Sequence, residues 1–167
     1  MKKIYAVLSS LLGAYTLSAQ APKSCCSAPN TAQFAQLAND GNFHRAHATP
    51  VDFKYDGEVE WMTFSTADGS SSKAYFFEAE GSDEFLIVIH EWWGLNDHIL
   101  EEGAKLHRDL GVNVICLDLY DGKTASTQEE AGQLMQSVVQ ERAMAIIDGA
   151  FNHFPGGDFY SIGWCFG

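Results

Sequence analysis

The chain has 167 residues, 46% of them hydrophobic, which suits one globular domain with a core of its own. Its formal net charge is −12; without Lys2 and Lys3 it becomes −14, from 8 basic against 22 acidic residues. A surface this acidic repels nucleic acid and anionic lipid, so both are excluded as partners.

Residues 1–21 read as a secretory signal peptide. Lys2 and Lys3 precede an uncharged, mainly apolar run from Ile4 to Leu17, too short to span a bilayer, and small residues follow at Ser18, Ala19 and Ala21. Cleavage is expected after Ala19 or Ala21. The mature protein is then exported, periplasmic or secreted, with no integral membrane segment. No cysteine follows the small residues directly, so no lipid anchor is expected at Cys25. Export permits disulfides, and the adjacent Cys25 and Cys26 are candidates to pair with another chain or another part of this one. Cys116 lies in an apolar run and reads as a buried small hydrophobe.

Residues 22–57 are polar, carry Pro22, Pro29 and Pro50, and read as a linker with a short helix around Phe34 and Leu37. Val59–Phe64 and Lys73–Glu78 have strand composition. The turn-rich Asp68-Gly69-Ser70-Ser71-Ser72 between them predicts an antiparallel hairpin. Phe85–His90 and Val112–Leu117, the latter broken only by Asn113, are apolar without alternation, as strands buried on both faces are. Between them Ile99, Gly103, Leu106 and Leu110 share a helical face. Asp97 is expected to cap that helix, and Gly111 to end it. Ser126-x-x-Glu129 reads as a capping box opening a helix whose Ala131, Leu134, Met135, Val138 and Val139 share a face. More helix is expected around Ile146, Ile147 and Ala150, then a strand at Phe159–Ile162. Strands alternating with helices predict an α/β fold: a mostly parallel sheet, flanking helices and right-handed crossovers.

Two motifs carry chemistry. Gly163-Trp164-Cys165-Phe166-Gly167 follows a strand and has the G-x-nucleophile-x-G pattern, with cysteine in the nucleophile's place. Such an elbow needs small residues on either side of a strained turn, and it aims the following backbone N–H, here that of Phe166, at a developing oxyanion. The competing reading is a structural cysteine between glycines. The second motif, His90-Glu91-Trp92-Trp93-Gly94-Leu95-Asn96, ends a buried strand, where sites form in open α/β sheets. In an α/β-hydrolase this loop gives the second oxyanion donor, here the N–H of Trp92.

The order H-E-W-W-G-L-N at 90–96, D-L-Y at 118–120 and G-W-C-F-G at 163–167 resembles the dienelactone hydrolase family of α/β-hydrolases, over roughly Glu58 to Gly167. The resemblance implies that residues 58–167 are the N-terminal part of such a domain, truncated after the nucleophile strand. It implies Cys165 as nucleophile, Glu91 as a carboxylate that contacts it and influences its ionisation, and ester or cyclic-ester cleavage through an acyl-cysteine. The small-molecule partner is then an ester or lactone, with no cofactor and no metal; the substrate-binding residues are left open. In the family the acid and base follow the nucleophile, so the triad aspartate and histidine are expected outside this chain, which alone is expected to be inactive. His98 and His153 are expected at the surface, His107 on a helix, and His90 beside the loop, where it helps to shape it. Dienelactone hydrolases proper use arginine for a substrate carboxylate, whereas Lys123 is the only basic residue between Tyr120 and Glu141.

Two other readings compete. His90-Glu91 begins like the zinc motif H-E-x-x-H, but its fifth position is Gly94 and the pair ends a strand. His44-x-x-His47 with Cys25-Cys26 offers an adventitious metal set, although residues of a linker are usually solvated. A non-catalytic secreted binding protein, or an inactive fragment, is the second reading. It would use Trp92 and Trp93 as a ligand platform, where core packing is the expected alternative.

Overall fold

The computed structural model describes residues 36–47 and 52–167. The expected leader, Cys25, Cys26 and Phe34 lie outside them. In chain order the elements are α1 (Gly41–Ala46), β1 (Glu60–Ser65), β2 (Ser71–Phe77), β3 (Glu84–Ile89), α2 (Asp97–Leu110), β4 (Asn113–Leu117), α3 (Gln128–Ser137), α4 (Gln140–His153) and β5 (Asp158–Gly163). The five strands form one sheet in the order β1-β2-β4-β3-β5. β1 and β2 form the expected hairpin, with Ser65 opposite Ser71, and β2 also runs antiparallel to β4. β3 is parallel to both β4 and β5. The sheet is therefore mixed, and it is parallel in the half that carries the chemical motifs.

The unalternating strands are apolar because both faces are covered. From β3 and β4, Leu86, Val88, Val114 and Cys116 pack on Ile99, Leu100 and Ala104 of α2. Ile87, Ile115 and Leu117 face the other way, onto Ile146 and Ala150 of α4. Asn113 does not interrupt this pattern, since its buried amide is satisfied. Its Oδ1 accepts from Ala79 N–H at 2.9 Å, and its Nδ2 donates to the carbonyls of Ser82 and Glu84 at 2.9 and 3.1 Å.

Both expected helix caps move by one residue. Asn96, not Asp97, caps α2: its backbone is extended, and its side chain accepts from the N–H groups of His98 and Ile99. Asp97 instead accepts from Tyr55 N–H at 3.1 Å. Gly111 ends α2 in the left-handed region, as expected. The capping box of α3 is Thr127 with Glu130, because Thr127 is the residue with extended backbone; Ser126 adds two further hydrogen bonds to the Glu130 carboxylate. Val138 and Val139 do not continue α3. Both are extended and break the run into two helices, as β-branched pairs favour.

Residues 36–47, within the expected linker, pack on the domain. Ala38 is buried in a cluster with Trp92, Trp93, Ala131 and Met135, and Leu37 and Phe43 lie against it. Asp40 caps α1 through the N–H groups of Asn42 and Phe43, and Gln128 Nε2 donates to the carbonyls of His44 and His47 at 2.7 Å each.

Candidate active site

β5 delivers Cys165 through a turn closed by Gly167 N–H donating to the Trp164 carbonyl at 2.9 Å. Cys165 has φ 55, in the left-handed region that costs a side chain of its kind about 1 kcal/mol or more. The flanking glycines are sterically required. A Cβ on Gly163 would collide with the Gly167 backbone, and one on Gly167 would lie 2.6 Å from the Ile89 carbonyl oxygen. The strand-to-turn geometry expected of G-x-C-x-G is thus present, and it leaves the sulfur half-buried.

The loop after β3 meets the elbow. The backbone N–H groups of Trp92 and Phe166 both act on the Cys165 sulfur as donors, and Glu91 acts on it by charge. The thiol pKa is raised, first by burial. The two N–H groups pull it down, and the Glu91 charge adds the smallest upward push. Gly94 shapes this loop with φ 90 and a close approach to the Lys123 carbonyl, which a Cβ would reach at 2.6 Å. Its N–H donates to the Glu91 carbonyl at 3.1 Å. The same carbonyl lies 2.6 Å from His90 Nδ1, while His90 Nε2 lies 3.2 Å from the Leu119 nitrogen. A cleft of about 370 Å³ opens beside Glu91 and Trp164, bordered also by Trp93, Asn96 and His98.

Residues 73–167 match the model of the dienelactone hydrolase family. The chain belongs to the dienelactone hydrolase family. It is 30% identical over 86 residues to "Protein usf" of Aquifex pyrophilus, covering 50% of this chain and 37% of that protein. Two solved structures share the fold. One is called "m3DLH" (TM-score 0.54, 22% identity, 66% of this chain and 50% of the other). The other is a dienelactone hydrolase-like promiscuous phosphotriesterase from metagenomic libraries (TM-score 0.52, 24% identity, 66% of this chain and 51% of the other). The chain spans about half the length of these structures or less of the curated relative.

Within this dienelactone hydrolase domain the third motif, Asp118-Leu119-Tyr120, lies against the elbow, with the Tyr120 and Phe166 rings 5.5 Å apart. Asp118 is buried and accepts from Tyr120 N–H at 3.1 Å and from Gly122 N–H at 2.5 Å; burial raises its pKa. Tyr120 is buried at an edge contact with His90. Trp92 and Trp93 are 0% and 2% exposed, so both pack as core, and Trp93 also borders the cleft. His44 and His47 are half-buried. Both set their rings against Trp92, with centroids 5.3 and 5.7 Å away, and each has a ring nitrogen at a backbone carbonyl. Among the described residues no group of three His, Cys, Asp or Glu side chains could hold a metal ion, and no helix is long and apolar enough to cross a membrane. Both His90 nitrogens are engaged in the fold, which leaves none for a zinc ligand or a catalytic base. His98 stacks on Phe53, His107 Nδ1 meets the Val112 carbonyl, and His153 is exposed.

Sequence reasoning missed Arg142. Its guanidinium bonds to Asp121, Asp68, Thr66, Ser70 and the Ser71 carbonyl, so α4, the hairpin turn and the loop after β4 are tied together. These partners lie 21 to 76 residues away along the chain, and no local pattern marks them.

Proposed function

We propose that the complete protein hydrolyses an ester or lactone through an acyl-cysteine intermediate on Cys165. The observation that carries this reading is the convergence of the Trp92 and Phe166 N–H groups on the Cys165 sulfur. Donors within bonding reach of a nucleophile are also within reach of the oxygen of a carbonyl it attacks. The thiolate adds to the carbonyl carbon, and the displaced π pair becomes an oxyanion held by Trp92 and Phe166. Collapse expels the alcohol portion with a proton and leaves the thioester. Water then cleaves the thioester to the acid and returns the thiol.

Glu91 is assigned a tuning role, not that of base. Its charge disfavours the thiolate at rest, and burial acts in the same direction, so the resting sulfur is a protonated thiol that resists oxidation after export. The proton acceptor is assigned to a histidine of the complete protein, following the family order of nucleophile, acid and base. With Lys123 the only basic residue between Tyr120 and Glu141, neutral esters are favoured over dienelactone, whose carboxylate needs a cation. In the full-length protein Cys165→Ala is expected to lower hydrolysis of an activated aryl ester by at least about 10³-fold. Undiminished hydrolysis would remove Cys165 from the mechanism.

Export is part of the same proposal. N-terminal sequencing of the exported protein should find a chain starting at Gln20 or Pro22, and a mature chain starting at Met1 would refute this.

A further inference from the structure

His90 is fully buried, titratable and unused by the chemistry proposed above. Its ring state follows from its partners. Leu119 N–H can only donate, so Nε2, 3.2 Å away, presents its lone pair and the proton sits on Nδ1. Nδ1–H then donates to the Glu91 carbonyl at 2.6 Å. In a trans peptide the C=O and N–H point to opposite sides. A Glu91 carbonyl held toward His90 therefore turns the Trp92 N–H away from it, and that N–H meets the Cys165 sulfur. The same ring stacks on Phe166, with centroids 5.9 Å apart and planes 20° apart, and Phe166 carries the second N–H. Tyr120 meets the His90 ring at 4.6 Å in an edge contact.

We propose that His90 is a positioning residue for the oxyanion hole: as the neutral Nδ1–H tautomer it locks the Glu91–Trp92 peptide by a hydrogen bond and seats Phe166 by ring contact, so one imidazole aims both donors. The bond to the carbonyl also polarises the peptide and makes the Trp92 N–H a stronger donor. An imidazolium could not do this, since a proton on Nε2 would face the Leu119 N–H. What the donors accomplish in catalysis rests on the hydrolase reading; their alignment on the sulfur does not.

The test uses the full-length protein. Nitrogen NMR of the His90 ring at neutral pH should show the Nδ1–H tautomer, and an Nε2–H tautomer would overturn the proposal. Iodoacetamide alkylation against pH, with Cys165 resolved by peptide mass, reads donor alignment without any ester. His90→Phe keeps a ring on Phe166 and loses both hydrogen bonds. It should raise the apparent pKa of Cys165 and lower kcat for an aryl ester about 10²-fold, with KM changed less than about threefold. His90→Asn, which keeps an N–H donor near the Nδ1 position, should restore the thiol titration and about tenfold of the lost kcat. A folded His90→Phe variant with wild-type thiol titration would overturn the proposal. If His90→Phe does not fold, a near-wild-type thiol in His90→Asn supports it, and a thiol in His90→Asn clearly less acidic than that of the wild type counts against it. A wild type without ester turnover would sink the hydrolase reading, and the thiol titration would still decide the alignment.

Discussion

Burial and Glu91 raise the Cys165 pKa while the Trp92 and Phe166 N–H groups lower it, and their ranking gives a prediction. Burial is the larger upward cause and Glu91 the smaller, so Glu91→Gln should lower the apparent thiol pKa while leaving it above that of a free cysteine. Alkylation rate against pH measures this, and an unchanged or raised value contradicts the tuning role. His90 gives a prediction for stability. Burial lowers its pKa from 6.5 to about 4. Between those values the unfolded chain binds a proton that the folded chain does not, so unfolding free energy rises with pH across that window. His90 therefore contributes stability that is fully present above about pH 6.5 and is lost toward pH 4, by about 3 kcal/mol. Urea unfolding at several pH values should show a shallower acid-side loss in His90→Asn than in the wild type. Equal slopes would mean that His90 is not held neutral.

Among the elements, α2 sits unusually close to β4. A Cβ on Gly103 would lie 2.6 Å from Cys116 Sγ and 3.1 Å from the Phe77 ring, both of which belong to the buried core. Gly103→Ala should cost about 1–3 kcal/mol by overpacking, despite the better helix propensity of alanine. Cys116→Ala should relieve part of that cost, so the double variant should be more stable than the sum of the single effects. Additive effects would contradict the close approach. The same elements show what the sequence discloses. The elbow and the loop after β3 are legible because their geometry restricts their residue types: glycine where a Cβ collides, with cysteine at the position of the proposed nucleophile. β3 and β4 are legible because burial on both faces leaves unbroken apolar runs. The caps are misread by one residue because Asn96 and Asp97, or Ser126 and Thr127, are both competent, and only the backbone angles choose between them. The docking of residues 36–47 is not legible, since its reason is Trp92 and Met135, which lie far along the chain.

At the scale of the whole molecule the sheet divides its tasks. Its antiparallel side, β1 and β2, is tied down by Arg142, and its parallel side brings the ends of β3 and β5 together so that Trp92, Phe166 and Cys165 meet. This division places the proposed reacting atoms at strand ends and leaves the loops to set their orientation. The central claim is that the reacting atom is the Cys165 sulfur. The most direct measurement is mass spectrometry of the full-length protein quenched during turnover of an activated aryl ester. The account predicts one added acyl group, mapped to the peptide containing Cys165 and absent from Cys165→Ala. An acyl group mapped to any other residue, or one that persists in Cys165→Ala, would contradict it.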